Sequence, residues 1–199
     1  MRTAIWTFCL VLCLILPVEA TIQEPSTGVE FPDSIAIGDV KAACTGVDLR
    51  TKFFFKIYAI AHYADVSAWP SNEGASERLQ HWRHANVAKA FVLTFTYPVP
   101  CDKIRDAWDD GLNNANYQGP HRAALLAIFK DDLKVGDQLR FIAQPGGALS
   151  VEQNGKSIGS INDSDLVIAL WSIWMGEKSV AAVKENLVAR DPGQGKSGP

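Results

Sequence analysis

Residues 46–63 read GVDLRTKFFFKIYAIAHY. They continue a run from Val40 to Leu49 (VKAACTGVDL) whose branched and small apolar residues suit a strand. Gly46 inside that run predicts a bulge or the close approach of another backbone. Arg50-Thr51-Lys52 is a polar break. Phe53 to Tyr63 (FFFKIYAIAHY) follows as a second strand rich in aromatic and branched side chains. Nearly every position in it is apolar, so both faces are expected to be covered, with Lys56 and His62 pointing out. If Arg50 and Tyr58 lie on one continuous strand, their even separation places both on one face.

Working outward, Val29 to Ile37 reads as an earlier strand closed by a turn at Gly38-Asp39, and residues 21–28 (TIQEPSTG) as a loose lead-in. After a connection with a short helix at Ser76 to His84, Ala90 to Tyr97 (AFVLTFTY) is a strand. Its alternation sets Phe91, Leu93, Phe95 and Tyr97 on one face, and Pro98 and Pro100 end it. Ile104, Ala107, Trp108 and Leu112 recur at helical spacing in Cys101 to Asn114. Gly119-Pro120 opens a second helix over His121 to Leu133. Gln138 to Ala143, Leu149 to Gln153 and Lys156 to Ile161 form a meander, with turns at Gly146-Gly147 and Asn154-Gly155. Asp163 or Ser164 caps a helix through Trp171 and Trp174 to Met175, stopped by Gly176. Val180 to Val188 is a last short helix. Antiparallel strands interrupted by helices give an α+β fold: an open-faced β-sandwich, one large antiparallel sheet with a layer of helices on one face.

The first residues speak to compartment. Arg2 precedes an apolar run from Ile5 to Val18, and Val18-Glu19-Ala20 offers small residues where a signal peptidase reads. The run is shorter than the ~20 residues of a spanning helix. Residues 1–20 are therefore expected to be a signal peptide cleaved after Ala20, leaving a periplasmic or secreted protein with no stable membrane insertion. The domain then occupies 21–190, and 191–199 (DPGQGKSGP) is a disordered tail. The formal net charge is −3, and Arg2 and Glu19 leave together. No basic stripe argues for nucleic acid, and no basic amphipathic helix for a membrane surface. Cys44 and Cys101 remain after cleavage. They permit one disulfide in an oxidising compartment, or else are two buried thiols.

Few residues invite chemistry. Arg50 is a permanently charged fork matched to a carboxylate, and Tyr58 a donor at the end of an apolar body. Set at the base of an apolar cleft, such a pair holds an acid more firmly than it could in water. Trp171 and Trp174, three apart on the late helix, are core residues or walls of that cleft. His62, His81, His84 and His121 form no metal-ligand set. Pro145-Gly146-Gly147 lacks the Lys and Ser/Thr of a phosphate loop and reads as a turn. No metal and no cofactor is expected, and the oligomeric state is left open.

Two segments carry a resemblance. The first is 46–63, with its Gly, Arg and Lys, then aromatics, Lys56-Ile57-Tyr58 and a final Tyr63. The second runs from Gly136-Asp137 through Pro145-Gly146-Gly147 and Asn154-Gly155-Lys156 to Ile173-Trp174-Met175-Gly176. In order and spacing the chain resembles the chalcone isomerase superfamily, specifically its bacterial chalcone-isomerase-like branch, over roughly 28–188. The resemblance implies a ligand cleft between sheet and helices. The family's enzymes close a flavanone ring with an Arg, a strand Thr, a helix Tyr and Asn, and a late-helix hydroxyl. The Thr falls on Tyr58, the Tyr and Asn near Pro100 and Ala107, and the hydroxyl near Val167. Without those groups nothing orients a phenolate or stabilises an enolate. The superfamily's non-catalytic members bind fatty acids through an Arg and a Tyr, which match Arg50 and Tyr58. The resemblance thus implies a non-catalytic binder of a small apolar acid, with Arg50, Tyr58, Tyr63 and Trp171 at the ligand. An intramolecular lyase acting on a phenolic enone is the alternative, and an interaction protein with a filled cleft the second.

Overall fold

The computed structural model describes residues 20–70 and 73–191. The expected leader, apart from Ala20, and the expected tail, apart from Asp191, lie outside them. Seven strands make one antiparallel sheet in chain order: β3 (Ser34–Ile37), β4 (Val40–Lys52), β5 (Phe55–Ala64), β6 (Lys89–Phe95), β7 (Gln138–Gln144), β8 (Ala148–Gln153) and β9 (Lys156–Asn162). A separate hairpin of β1 (Thr21–Gln23) and β2 (Glu30–Pro32) replaces the expected loose lead-in. The helices are α1 (Ala75–His84), α2 (Cys101–Asn114), α3 (Arg122–Ile128) and α4 (Ser164–Met175). Short 3-10 turns stand at Val66–Ala68 and Lys184–Val188. Two expected helices are therefore shorter than read: the second ends at Ile128, and only the end of 180–188 is coiled.

The α+β architecture expected from the sequence is present, and strand parity organises it. Tyr58, Ile60, Phe91, Leu93, Phe95, Leu139 and Phe141 face the helices, packing against Ile104 and Trp108 of α2 and Leu170, Trp171 and Trp174 of α4. Ala59, Ala61, Tyr63, Ala90 and Val92 point the other way, into a smaller apolar layer closed by Phe31 of β2. Both faces of β5 are thus covered, as its apolar run requires. His62 does not point out: it is fully buried on the helix side.

The β4–β5 boundary also differs from expectation. Arg50-Thr51-Lys52 is not a break but the end of β4, and the chain turns at Phe53-Phe54. Gly46 fulfils both of its expected roles. The ladder shifts register between Cys44 and Gly46, and a Cβ at 46 would overlap the carbonyl of Asn186. The C-terminal segment is laid against β4 there. Asp48 accepts from the Val183 N–H at 2.9 Å, and the Thr45 hydroxyl donates to the Leu187 carbonyl at 2.7 Å.

α4 is almost wholly apolar because it lies in the middle of the helix layer. Asp163 caps its start, accepting from the Leu166 N–H at 3.0 Å, and Gly176 follows its end.

Candidate functional site

Arg50 near the end of β4 sits directly opposite Tyr58 of β5. They are cross-strand partners, not residues of one continuous strand, and this pairing puts them on one face. Between Arg50 and Thr51 the register slips, so that Thr51 pairs with Lys56 and Ile57 is the extra residue of a β-bulge. The bulge lets two successive residues, Ile57 and Tyr58, line the same cavity. Regular alternation would send one of them to the far face.

The cavity has a volume of about 200 Å³. It lies between the β4–β5 hairpin and the start of α2. Ile104, Trp108, Ile173 and Val99 give it apolar walls, and Arg50, Lys52 and Lys103 surround it with positive charge. Among the described residues no carboxylate side chain lines it. Lys103 is held by Asp106 at 3.1 Å and Asp102 at 3.5 Å on the surface.

Hydrogen bonding at this site is one-sided. Trp174 Nε1 donates to the Tyr58 hydroxyl oxygen at 3.0 Å. That oxygen is occupied as an acceptor, so the phenolic proton is the group left to give. Burial pushes the Tyr58 phenol up to about 12, although the Arg50 charge and the Trp174 bond pull it down, so it stays protonated near neutrality. Arg50 is half-buried, and Nη1 makes a long 3.5 Å contact with the Val180 carbonyl. Most of its fork is available to a ligand. Trp108, also lining the cavity, has a buried indole N–H with no partner. An unpaired buried donor is costly unless something comes to accept from it. A guanidinium and a phenol thus offer protons at the end of an apolar slot, an arrangement complementary to a carboxylate.

The structure does not bring Tyr63 or Trp171 to this cavity. Tyr63 is an odd number of residues from Tyr58 on one strand and so faces away. Its hydroxyl donates to the Pro32 carbonyl at 2.9 Å. Trp171 donates through Nε1 to His62 Nε2 at 3.1 Å. His62 Nδ1 then gives its proton to Thr45 Oγ1 at 2.7 Å, completing a buried chain that ends at Leu187. With Nε2 facing a donor, His62 must be neutral. Burial, and then the Lys89 charge, hold it well below its usual range. Trp174, one turn on, touches the site instead.

Cys44 and Cys101 are both free thiols. They lie on opposite sides of the sheet, Cys44 in the layer under Phe31 and Cys101 opening α2, and the disulfide that the sequence permits is not formed in this structure.

Pro100 and Ala107 do line the cavity, so α2 supplies no hydroxyl or amide at those positions. The residue of α4 in the wall is the apolar Ile173, while Val167 lies elsewhere.

A wider recess of about 460 Å³ between the α2–α3 connection and α4 holds Tyr117 and Asp163. Its carboxylate is already engaged: Tyr117 and His121 both donate to Asp163 Oδ2, at 2.6 and 2.8 Å. No group of three or more His, Cys, Asp or Glu among the described residues could hold a metal ion.

Comparison with known proteins agrees with this architecture. Fatty-acid-binding protein 1 of Arabidopsis thaliana is 25% identical over 187 residues, covering 80% of this chain and 66% of that protein. The chain therefore spans just under two thirds of that relative's length. The crystal structure of an Arabidopsis thaliana fatty-acid binding protein superposes with a TM-score of 0.73 at 21% identity, covering 85% of this chain and 96% of that one, a likeness of fold. The family profile described as chalcone isomerase-like matches residues 23–188. The chain belongs to the chalcone isomerase-like family.

Proposed function

We propose that the protein is a non-catalytic binder of a fatty acid or similar apolar carboxylate, whose head group is held by Arg50 and Tyr58. The observation that carries this reading is the donor-only end of the cavity. Tyr58 has its acceptor side engaged by Trp174, Arg50 is largely unpaired, and no acidic side chain competes for either. The name of the Arabidopsis relative, a fatty-acid-binding protein, points the same way. The cavity is smaller than the ~300 Å³ of most ligand pockets. It suits the carboxyl end and the first carbons, with the remaining chain leaving past the exposed rim at Lys52 and Tyr97.

The test is displacement of a fluorescent fatty acid from delipidated protein. Arg50→Gln is expected to weaken binding by at least about tenfold, the value of a charge-assisted hydrogen bond. Equal affinity in the variant, or no binding by the wild type, would sink the reading. The lyase alternative asks for hydroxyl and amide groups where the cavity has Pro100 and Ala107.

We infer also that the chain is of the family's bacterial branch and is exported to the periplasm or secreted. Arg2, the apolar run Ile5 to Val18 and the small residues before Thr21 support this. A purified native protein whose first residue is Thr21 is the expected result; retention of Met1 would contradict it.

A further inference from the structure

We propose that the tip of the β4–β5 hairpin docks on the surface of an anionic lipid bilayer. At this tip Phe53 is 83% exposed, Phe54 96% and Phe55 51%. Phe55 stacks on Tyr97, itself 40% exposed, with ring centroids 4.8 Å apart. Phe55 and Tyr97 thus make an exposed ring pair, and Phe53 and Phe54 stand exposed immediately before it in the chain. Isolated exposed apolar residues need no explanation, but a contiguous aromatic patch marks an interaction surface.

The backbone adds a second observation. Phe53 has φ 58°, a region a bulky side chain enters only at a cost. Elsewhere in the same sheet the chain turns with Asn154-Gly155, residues that take positive φ easily. A glycine at 53 would make the easier turn. A phenylalanine held there, side chain in solvent, suits contact with something outside the chain.

Charge identifies the partner. Residues 50–56 contain Arg50, Lys52 and Lys56 and no acid, in a chain whose net charge is −3. Lys52 is exposed, with no ion pair among the described residues, while Lys56 reaches across to the Ser26 carbonyl. Aromatic rings flanked by lysines match the boundary between acyl chains and anionic headgroups. There the rings bury and the ammonium groups stay with the phosphates.

Area argues against a protein partner. Because Phe55 and Tyr97 are already partly covered, the four rings together have less left to bury than three fully exposed ones, at roughly 150–250 Å² each, short of the ~800 Å² per side that a stable protein interface needs. Interfacial insertion has no such threshold, because its strength grows with the apolar area immersed. Lys52 and Tyr97 line the cavity as well as flanking the tip, so docking sets the cavity entrance against the lipid. The docking stands whether or not the cavity holds a fatty acid.

Co-sedimentation with sucrose-loaded vesicles tests it, using phosphatidylcholine alone and phosphatidylcholine mixed with phosphatidylglycerol. The chain from Thr21 onward is expected to bind the anionic vesicles, less so as salt is raised. A double variant, Phe53→Gly with Phe54→Ser, should lower partitioning by at least about tenfold, as should Lys52→Glu with Lys56→Glu. Phe53→Gly relieves the turn, so the first variant should melt no lower than the wild type, separating docking from folding. Failure of the wild type to bind either vesicle overturns the proposal, as does undiminished binding by both variants. Sedimentation velocity showing self-association that vanishes in the Phe53→Gly, Phe54→Ser variant, without vesicle binding, would assign the tip to a second copy and overturn it too.

Discussion

Tyr58 has two jobs that substitution can separate. Its oxygen accepts from Trp174 Nε1, and its proton faces the cavity. In Tyr58→Phe the indole N–H is left buried and unpaired, which costs about 1–3 kcal/mol. Thermal melting of the ligand-free protein should show that loss, and fatty-acid displacement a further weakening. Arg50→Gln should leave the melt nearly unchanged, since the wild-type side chain makes only one long contact in the protein. A Tyr58→Phe variant as stable as wild type would mean that the Trp174 bond contributes nothing. The thiols divide in the same way. Burial pushes Cys44 up to about 11, whereas Cys101 is partly exposed. Ellman's reagent should find one reactive thiol in the native chain from Thr21 and two in denaturant. Arg50 and Tyr58 were legible in the sequence because a charge and a phenol stand out in an apolar stretch. Tyr63 was separable from them by parity alone, being an odd step from Tyr58. Trp108 as a cavity wall and Trp174 as the partner of Tyr58 were not legible: helical spacing marks a buried face without saying what each ring meets.

Among the elements, β4 depends most on a single missing side chain. Gly46 lets the Asn186 carbonyl lie against the strand. Gly46→Ala must push the C-terminal segment off β4, straining the contacts of Asp48 with Val183 and Asn186. Overpacking of this kind costs about 1–3 kcal/mol or more. The check is a urea unfolding midpoint, and an unchanged midpoint would show the segment to be loosely held. This glycine announced itself in the sequence, since glycine within a strand signals a bulge or a neighbour. The hairpin tip did not. Its turn contains no Gly, Asn, Asp or Pro, and three aromatics in a row carry strand propensity, so the strand was read as starting two residues early. The polar Arg50-Thr51-Lys52 was read as a break because a strand end running into solvent has the composition of a loop. The meander of β7, β8 and β9 was legible through its glycine turns.

For the molecule as a whole, the sheet is covered on both sides around β5, and its buried ionisable groups make stability depend on pH. His62 is held neutral in the fold, whereas in the unfolded chain it takes a proton below about 6.5. The unfolded state therefore binds more protons as pH falls through that value, and stability is lost. Lys89, buried against the Trp82 carbonyl at 2.7 Å and over the Trp171 ring, is lowered by burial to about 7 from 10.5. Between those values the unfolded chain again holds the extra proton, so stability rises with pH there too. Urea melts should show stability increasing from mildly acidic pH to about 9, with each group contributing a slope of at most about 1.4 kcal/mol per pH unit; above that the Cys44 thiol, raised by burial from 9.0 to about 11, opposes the Lys89 slope. His62→Gln can still accept from Trp171 and donate to Thr45. It should flatten the acidic limb and spare the alkaline one; an unaltered acidic limb would mean that His62 takes no part. The apolar run of 53–63 foretold a strand covered on both faces, but not that the β1–β2 hairpin would close one of them. Three-residue strands are too short to show a period.

The bulge at Ile57 separates the hairpin into two independent lengths. Inward of it, each strand position keeps its face; beyond it, the count starts afresh. Residues can be added to or removed from the tip, by design or by descent, while Arg50 stays across from Tyr58. A foreign loop grafted between Thr51 and Lys56 would inherit the Arg50–Tyr58 pairing intact, so that end of the cavity and the outermost end of the hairpin are free to diversify separately.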